Sequence, residues 1–287
     1  MACERIDQKL PAVWDEREAL RKTGQFWTPP WLAKTMAAWV TANSPPVLFD
    51  PAVGPGTFFA AARSIGFNGN FAGFELHSQV LTGFDSTILK ETDFCNVIQA
   101  DFLQTPVEGQ FPAIISNPPY IRHHRLSKSQ KEGLRALSSQ AIGFELDGRV
   151  GLHVYFLIKC LQHLSSSGRL AFLLPADVCE GVSSRALWNR LCDRYRLEAV
   201  LTFDESAAPF PNVDTNAMVF LISHSAPAPH FKWLQVKERN MEAILHSLPG
   251  STNGHAPFKS VDCHERELSE GLATGFSRRQ RPASLHG

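Results

Sequence analysis

From Pro46 to Asp204, short apolar runs that end on a polar residue alternate with stretches of helical periodicity, and no other feature narrows the fold as much. The runs are PVLFD (46–50), NFAGFEL (70–76), NVIQAD (96–101), FPAIISN (111–117), RLAFLLPAD (169–177) and RLEAVLTFD (196–204). Each has the length of a strand and is apolar on successive residues, the signature of a strand covered on both faces. Between them, TFFAAARSIG (57–66), HSQVLTGFDSTILK (77–90), LHVYFLIKCLQHL (152–164) and SSRALWNRLCDRY (183–195) read as helices. The third is stopped by Ser-Ser-Ser-Gly and the fourth opened by a serine cap signal. Strands joined by helices need right-handed crossovers, so the pattern predicts an α/β protein with a doubly wound, mainly parallel sheet. NAMVFLISH (216–224) and HFKWLQV (230–236) follow one another with no helix between, which predicts an antiparallel edge hairpin.

The 287 residues are enough for one large α/β domain or two small ones. Twenty-eight basic residues balance twenty-eight acidic ones. There is then no global field to draw the chain onto nucleic acid, and a polyanion must be held by a local patch or another subunit. The charged start MACERIDQKLPAVWDERE lacks a signal-peptide core, and no later run is long and apolar enough to span a bilayer. The expectation is a cytoplasmic protein with no membrane partner. Cys3, Cys95, Cys160, Cys179, Cys192 and Cys263 form no C-x-x-C pair and no metal-ligand spacing, so they read as reduced, mostly buried thiols and no metal is expected. Residues 1–22 read as an N-terminal extension. From Leu248 to the end, Gly, Ser, Pro and His accumulate, and 248–287 reads as a poorly ordered tail.

The turn LFDPAVGPGTFFAAA places Gly54 and Gly56 between a strand and a helix, where a doubly wound sheet opens its ligand crevice. It has neither a full G-x-G-x-x-G nor G-K-[ST], so a cradle for pyrophosphate or triphosphate is poorly supported, and the turn alone is equally a structural one. The acids around it carry more. Asp50 ends the first strand facing the crevice, Glu75 ends the second, and Asp101 ends the third. Glu75 stands where a carboxylate accepts from ribose hydroxyls. Asp101 suits an adenine amino group or, alternatively, a helix cap. Three acids repel a phosphate chain but suit a cationic adenosine ligand, and S-adenosylmethionine is such a ligand.

TGQFWTPPWLAKTMAAWV (23–40), FDPAVGPGTF (49–58), GFEL (73–76), ADFL (100–103) and SNPPYIR (116–122) come in an order that resembles the gamma-class N6-adenine DNA methyltransferases of restriction-modification systems. The resemblance runs from about Thr23 to about Ser223. It implies the Rossmann-like class I fold of S-adenosylmethionine-dependent methyltransferases, with residues 23–247 as the catalytic domain. In that family the threonine matching Thr28 helps hold the cofactor's carboxylate, and the turn matching Ala52 to Gly56 lies along its amino-acid part. Glu75 matches the ribose-binding acid, Asp101 the adenine-binding acid, and Asn117, Pro118, Pro119 and Tyr120 the catalytic tetrad. APFPNVDTNAMVF (208–220) resembles the loop whose aromatic residue stacks on the target base, which points to Phe210, although Phe210 could equally plug a core. Pro55 departs from the small hydroxyl residue or cysteine common there. The segment GQFWTP, which precedes the glycine strand in that family, favours DNA as the substrate; the family's large C-terminal target-recognition domain is not found in these 287 residues, so the expectation is either a truncation or a two-subunit design with a separate specificity or target-recognition subunit.

The tetrad has its own chemical logic. An adenine amino nitrogen is a poor nucleophile because its lone pair is delocalised into the ring. The Asn117 side-chain oxygen and the Pro118 carbonyl, placed on its hydrogens, would localise that lone pair and reward the charge that grows in the transition state. Consecutive prolines fix the acceptors in place, and Tyr120 offers a flat face for a base flipped out of the duplex. The segment IRHHRLSKSQKEGLR (121–135) follows, with Arg122, Arg125, Lys128, Lys131 and Arg135; it reads either as a phosphate contact or as a solvated helix face. The expected activity is methylation of adenine N6 in DNA. The alternatives are N-methylation of RNA or protein glutamine with the same tetrad, or a modification subunit inactive without its specificity partner.

Overall fold

The structure is a computed structural model that describes residues 26–147, 149–180, 183–210, 216–249 and 259–276. In chain order its elements are α1 (Pro30–Thr41), β1 (Val47–Asp50), α2 (Thr57–Ser64), β2 (Asn70–Glu75), α3 (Ser78–Leu81), β3 (Val97–Gln99) and β4 (Phe111–Ser116). There follow α4 (Lys128–Ile142), α5 (Leu152–Gln162), β5 (Leu164–Pro175), α6 (Ser184–Cys192), β6 (Arg196–Phe203), β7 (Ala217–Ser223) and β8 (His230–Val236). The last three are α7 (Met241–Ser247), β9 (Val261–Glu267) and α8 (Leu268–Thr274).

One nine-stranded sheet runs β3-β2-β1-β4-β5-β7-β6-β8-β9. β1, β2, β3, β4 and β5 pair in parallel, as do β6 and β8, whereas β7 runs antiparallel to both its neighbours and β9 antiparallel to β8. The alternation of side chains divides two cores. Phe49, Ile114, Leu170, Phe172, Phe220 and Ile222 face the cluster under α4, α5 and α6. Leu48, Ala113, Ile115, Ala171, Val219 and Leu221 face the cluster under α1, α2 and α7. Period-two alternation with both faces apolar is what a doubly covered sheet demands.

Several expectations need correction. The antiparallel edge exists, but β8 and β9 make it; β7 and β8 are not partners. Every residue of β7 is buried, so it cannot sit at an edge and instead fills the slot between β5 and β6. Residues 259–276 do not behave as a tail. β9 pairs with β8 along Val236↔Val261 to His230↔Glu267, and the Phe276 ring closes edge-on against Trp188, Phe220 and Phe231. Residues 250–258 and 277–287 lie outside the described residues, as does the extension 1–22. The helix expected over 77–90 shrinks to one turn at α3. Gly83 follows it, and the Asp85 side chain accepts from Thr87 N at 3.0 Å, a local bond that competes with helix. Ser183 precedes α6 without capping it; its hydroxyl accepts from Asp147 N at 3.0 Å instead.

Candidate functional site

The carboxyl ends of β1, β2, β3 and β4 open onto one cavity of about 410 Å³, within the usual range for a small-ligand site. Phe26, Thr28, Ala52, Gly54, Glu75, Leu76, Asp101, Asn117, Pro119 and Arg125 are among its lining residues.

The glycine turn forms its floor. Gly54 has φ 56° and Gly56 φ 77°, both in the left-handed region. Their reasons differ. Gly54 lines the cavity, and a Cβ there would meet nothing closer than 4.0 Å. Gly56 does not line it; a Cβ there would come within 2.8 Å of the Phe94 ring, so what excludes a side chain is packing beneath α2 rather than approach of a ligand. The turn is pinned from β2. Val53 N donates to Phe74 O at 2.9 Å, and Gly54 N donates to Glu75 Oε2 at 2.8 Å. The other oxygen of Glu75 accepts from His77 N at 2.9 Å, so this carboxylate both shapes the turn and keeps lone pairs for a ligand. Asp101 is built alike. Its Oδ1 accepts from Leu103 N at 2.9 Å and its Oδ2 from Gln104 Nε2 at 2.8 Å, which makes it the cap of its own loop as well as a wall residue.

Asp50 departs from its expected place. It is 1% exposed and absent from the cavity wall, lying beneath the turn. Its Oδ1 accepts from Ala52 N at 3.0 Å and from the Ser116 hydroxyl at 3.1 Å, while Oδ2 has no partner among the described residues. Burial pushes this carboxyl up to about 7; the two hydrogen bonds oppose the rise and the Glu75 charge adds to it.

The tetrad leaves β4 at Asn117. The amide nitrogen donates to Phe26 O at 2.5 Å and to Thr28 Oγ1 at 3.2 Å. A main-chain carbonyl can only accept, so this pair fixes which end of the amide is nitrogen. Oδ1 is left shielded from solvent with no partner among the described residues. After the tetrad the chain is tied to α5 by Leu152 N donating to Ile121 O at 2.9 Å.

Tyr120 and Pro118 stand outside the cavity wall. The Tyr120 hydroxyl donates to Leu173 O at 3.1 Å, and burial, with Asp177 adding, holds the phenol well above its ordinary pKa. Its ring lies 5.6 Å from Phe26, and Phe26 lies 5.5 Å from Phe210. Phe210 is buried in the core under α1, as the plug reading would have it, and the next five residues, 211–215, lie outside the described ones. The basic segment divides. Arg125 lines the cavity, whereas Arg122, Lys128 and Arg135 are exposed around α4, which Ser127 and Gln130 open with a capping box. Among the described residues no cluster of His, Cys, Asp and Glu could hold a metal ion, and no helix is long and apolar enough to cross a membrane.

Sequence reasoning missed two contributors. The carbonyl of Phe26 is a main-chain group with no residue-type signature, although it lies inside the segment GQFWTP. Leu76, 54% exposed on the cavity rim, had a signal: a large apolar residue directly after a strand-end acid.

Residues 69–210 match the Eco57I restriction-modification methylase family. The type II methyltransferase M.AccI of Acinetobacter calcoaceticus is 26% identical over 210 residues, which is 72% of this chain but 38% of that protein. The tRNA1(Val) (adenine(37)-N6)-methyltransferase of Glaesserella parasuis is 30% identical over 82 residues, 29% of this chain and 30% of its own. The methyltransferase subunit of the type I restriction-modification system of Streptococcus thermophilus superposes with a TM-score of 0.64 at 17% identity, covering 91% of this chain and 61% of that one. The fold is thus the class I methyltransferase fold, and the chain spans about two fifths of the curated relative's length. The motif order, the strand order and the matched span all agree in likening the chain to the restriction-modification methylases of the Eco57I family.

Proposed function

We propose that this chain is the catalytic module of a DNA methyltransferase that transfers a methyl group from S-adenosylmethionine to the N6 amino group of adenine, acting within a cytoplasmic restriction-modification system. The observation that carries the reading is the Asn117 amide. Its nitrogen is committed to Phe26 O and Thr28 Oγ1, so a buried oxygen with no partner among the described residues remains as a preset acceptor. A buried acceptor without a donor costs about 1–3 kcal/mol, a cost that an amino group of the substrate would remove. Because the amide is held before the substrate arrives, little reorganisation is needed as charge develops on the amino nitrogen. The tetrad's prolines hold the neighbouring main chain in the same way.

The cavity fits the cofactor. Glu75 and Asp101 both line it and keep acceptor capacity for ribose hydroxyls and an adenine amino group. Thr28, Ala52 and Gly54 would hold the amino-acid end. The bound cofactor supplies an electrophilic methyl on a positive sulfur; the chain's residues bind it and orient the acceptor. Tyr120 is assigned to the flipped base and the exposed Arg122 to phosphates, whereas Phe210, buried in the core under α1, is assigned to packing. Arg125, which lines the cavity, is assigned to the bound substrates rather than to the phosphate backbone.

Target recognition is assigned to a separate specificity partner, in keeping with the likeness in fold to the methyltransferase subunit of a type I restriction-modification system. The similarity to a tRNA adenine-N6 methyltransferase favours RNA as a second reading. Transfer of labelled methyl from S-adenosylmethionine to unmethylated DNA, with and without the specificity partner, followed by nucleoside analysis, separates the readings. N6-methyladenine in DNA is expected; label confined to RNA or protein would refute the assignment.

A further inference from the structure

Lys159 sits on α5, one turn beyond Phe156 and two beyond Leu152, both of which line the cavity. It is 8% exposed, and its ammonium has no carboxylate within hydrogen-bond reach among the described residues. Instead it donates to Phe102 O at 2.5 Å, Leu103 O at 3.3 Å and Thr105 O at 2.8 Å, and it lies 4.8 Å from the centre of the Phe102 ring. An ammonium has three donors, and all three are used on one loop. That loop begins at Asp101, whose carboxylate and the Phe102 ring are both walls of the cavity.

The arrangement is costly unless it does something. Burying a cation among apolar side chains disfavours its charged form, and burial does lower the Lys159 pKa; Cys160 and Asp101 oppose the shift. A neutral donor or a leucine would fit a helix facing this core more cheaply. What the charge achieves is local. The carbonyls of Phe102, Leu103 and Thr105 are turned toward α5, and the same chain reversal sends Leu103 N and Gln104 Nε2 back to the two Asp101 oxygens. The carboxylate is thereby held in one orientation from both sides of the loop.

We infer that Lys159 is a positioning residue for the adenosine end of the cofactor site, acting through the 101–105 loop to aim the Asp101 carboxylate and seat the Phe102 ring. The inference rests on the reading of this cavity as the S-adenosylmethionine site. The site therefore has a third layer behind its wall: ligand, Asp101, then a buried ammonium that fixes the loop carrying Asp101.

Calorimetric titration of the full chain with S-adenosylhomocysteine and with adenosine tests this, using Lys159→Gln, Lys159→Met, Asp101→Asn and the double variants. Lys159→Gln keeps two donors and serves where Lys159→Met does not fold. Both probes should bind the Lys159 variants about tenfold more weakly, the loss expected when charge-assisted hydrogen bonds that hold a binding group are removed. In the Asp101→Asn background the second substitution should add little, because both act at one point. Unchanged affinity alongside a lowered melting temperature would make Lys159 a core brace only and overturn the inference. So would losses that multiply in the double variant. If the unaltered chain binds neither probe, the cofactor reading itself fails and the inference with it.

Discussion

Asp50 offers a test of the site's electrostatics that does not depend on turnover. Its carboxyl is 1% exposed, and its pKa stands at about 7 against 3.8 for a free side chain. A rise of roughly three units corresponds to about 4 kcal/mol at 1.36 kcal/mol per unit. The folded chain binds this proton more tightly than the unfolded chain. The associated stability is therefore complete below about pH 4, falls as pH rises toward about 7, and is flat above that. Replacing Asp50 by Asn removes the titration but keeps an oxygen for Ala52 N and the Ser116 hydroxyl. The amide nitrogen would take the position of Oδ2, which has no partner among the described residues, at a cost of about 1–3 kcal/mol. At pH 5 the Asn variant should thus be the less stable protein. Between pH 5 and pH 8 the original chain should lose about 2–3 kcal/mol more than the variant, narrowing or reversing the gap. Urea unfolding at unit steps of pH measures both curves. A gap that stays constant from pH 5 to pH 8 would refute the claim that a buried, proton-holding carboxyl lies beneath the glycine turn.

Asn117→Ala should lower methyl transfer about 10²–10³-fold while leaving S-adenosylhomocysteine affinity nearly unchanged, a split read by steady-state kinetics beside calorimetry. Thr28→Val removes one of the two acceptors that orient the Asn117 amide, so kcat should fall about tenfold, with Thr28→Ser retaining most of it; equal rates for all three would remove Thr28 from the positioning of Asn117. Phe276→Ala should cost about 3–5 kcal/mol in urea unfolding, because its 1% exposed ring closes on Trp188, Phe220 and Phe231; a loss under about 1 kcal/mol would mean that residues 259–276 do not share the main core.

What the sequence made legible, and what it hid, follows from where the physical information resides. The parallel half of the sheet was readable because each of its strands announces itself twice, as an apolar run and as a polar stop at Asp50, Glu75, Asp101 or Asn117. β9 was not readable. VDCHERE is a charged edge strand with one face in water, and such a strand looks like a loop until its partner β8 is in place. Most of the cavity's lining was legible by type, since Glu75, Asp101 and Asn117 follow strand ends and line the cavity, but which residues of the glycine turn reach it was not. Asp50 and Gly56 lie in the same stretch as Ala52 and Gly54, yet packing keeps the first pair off the cavity and puts the second in its wall. No spacing rule distinguishes them, because the distinction is made by what packs behind: Ser116 and Ala52 N around Asp50, the Phe94 ring against Gly56. The same holds for the acceptor itself. Asn117 could be named from N-P-P-Y, but which end of its amide is left without a partner among the described residues is decided by a carbonyl 91 residues away in sequence. A motif states which groups are available. Their orientation is set by main-chain partners that any residue could supply, and that is the part a one-dimensional reading cannot carry.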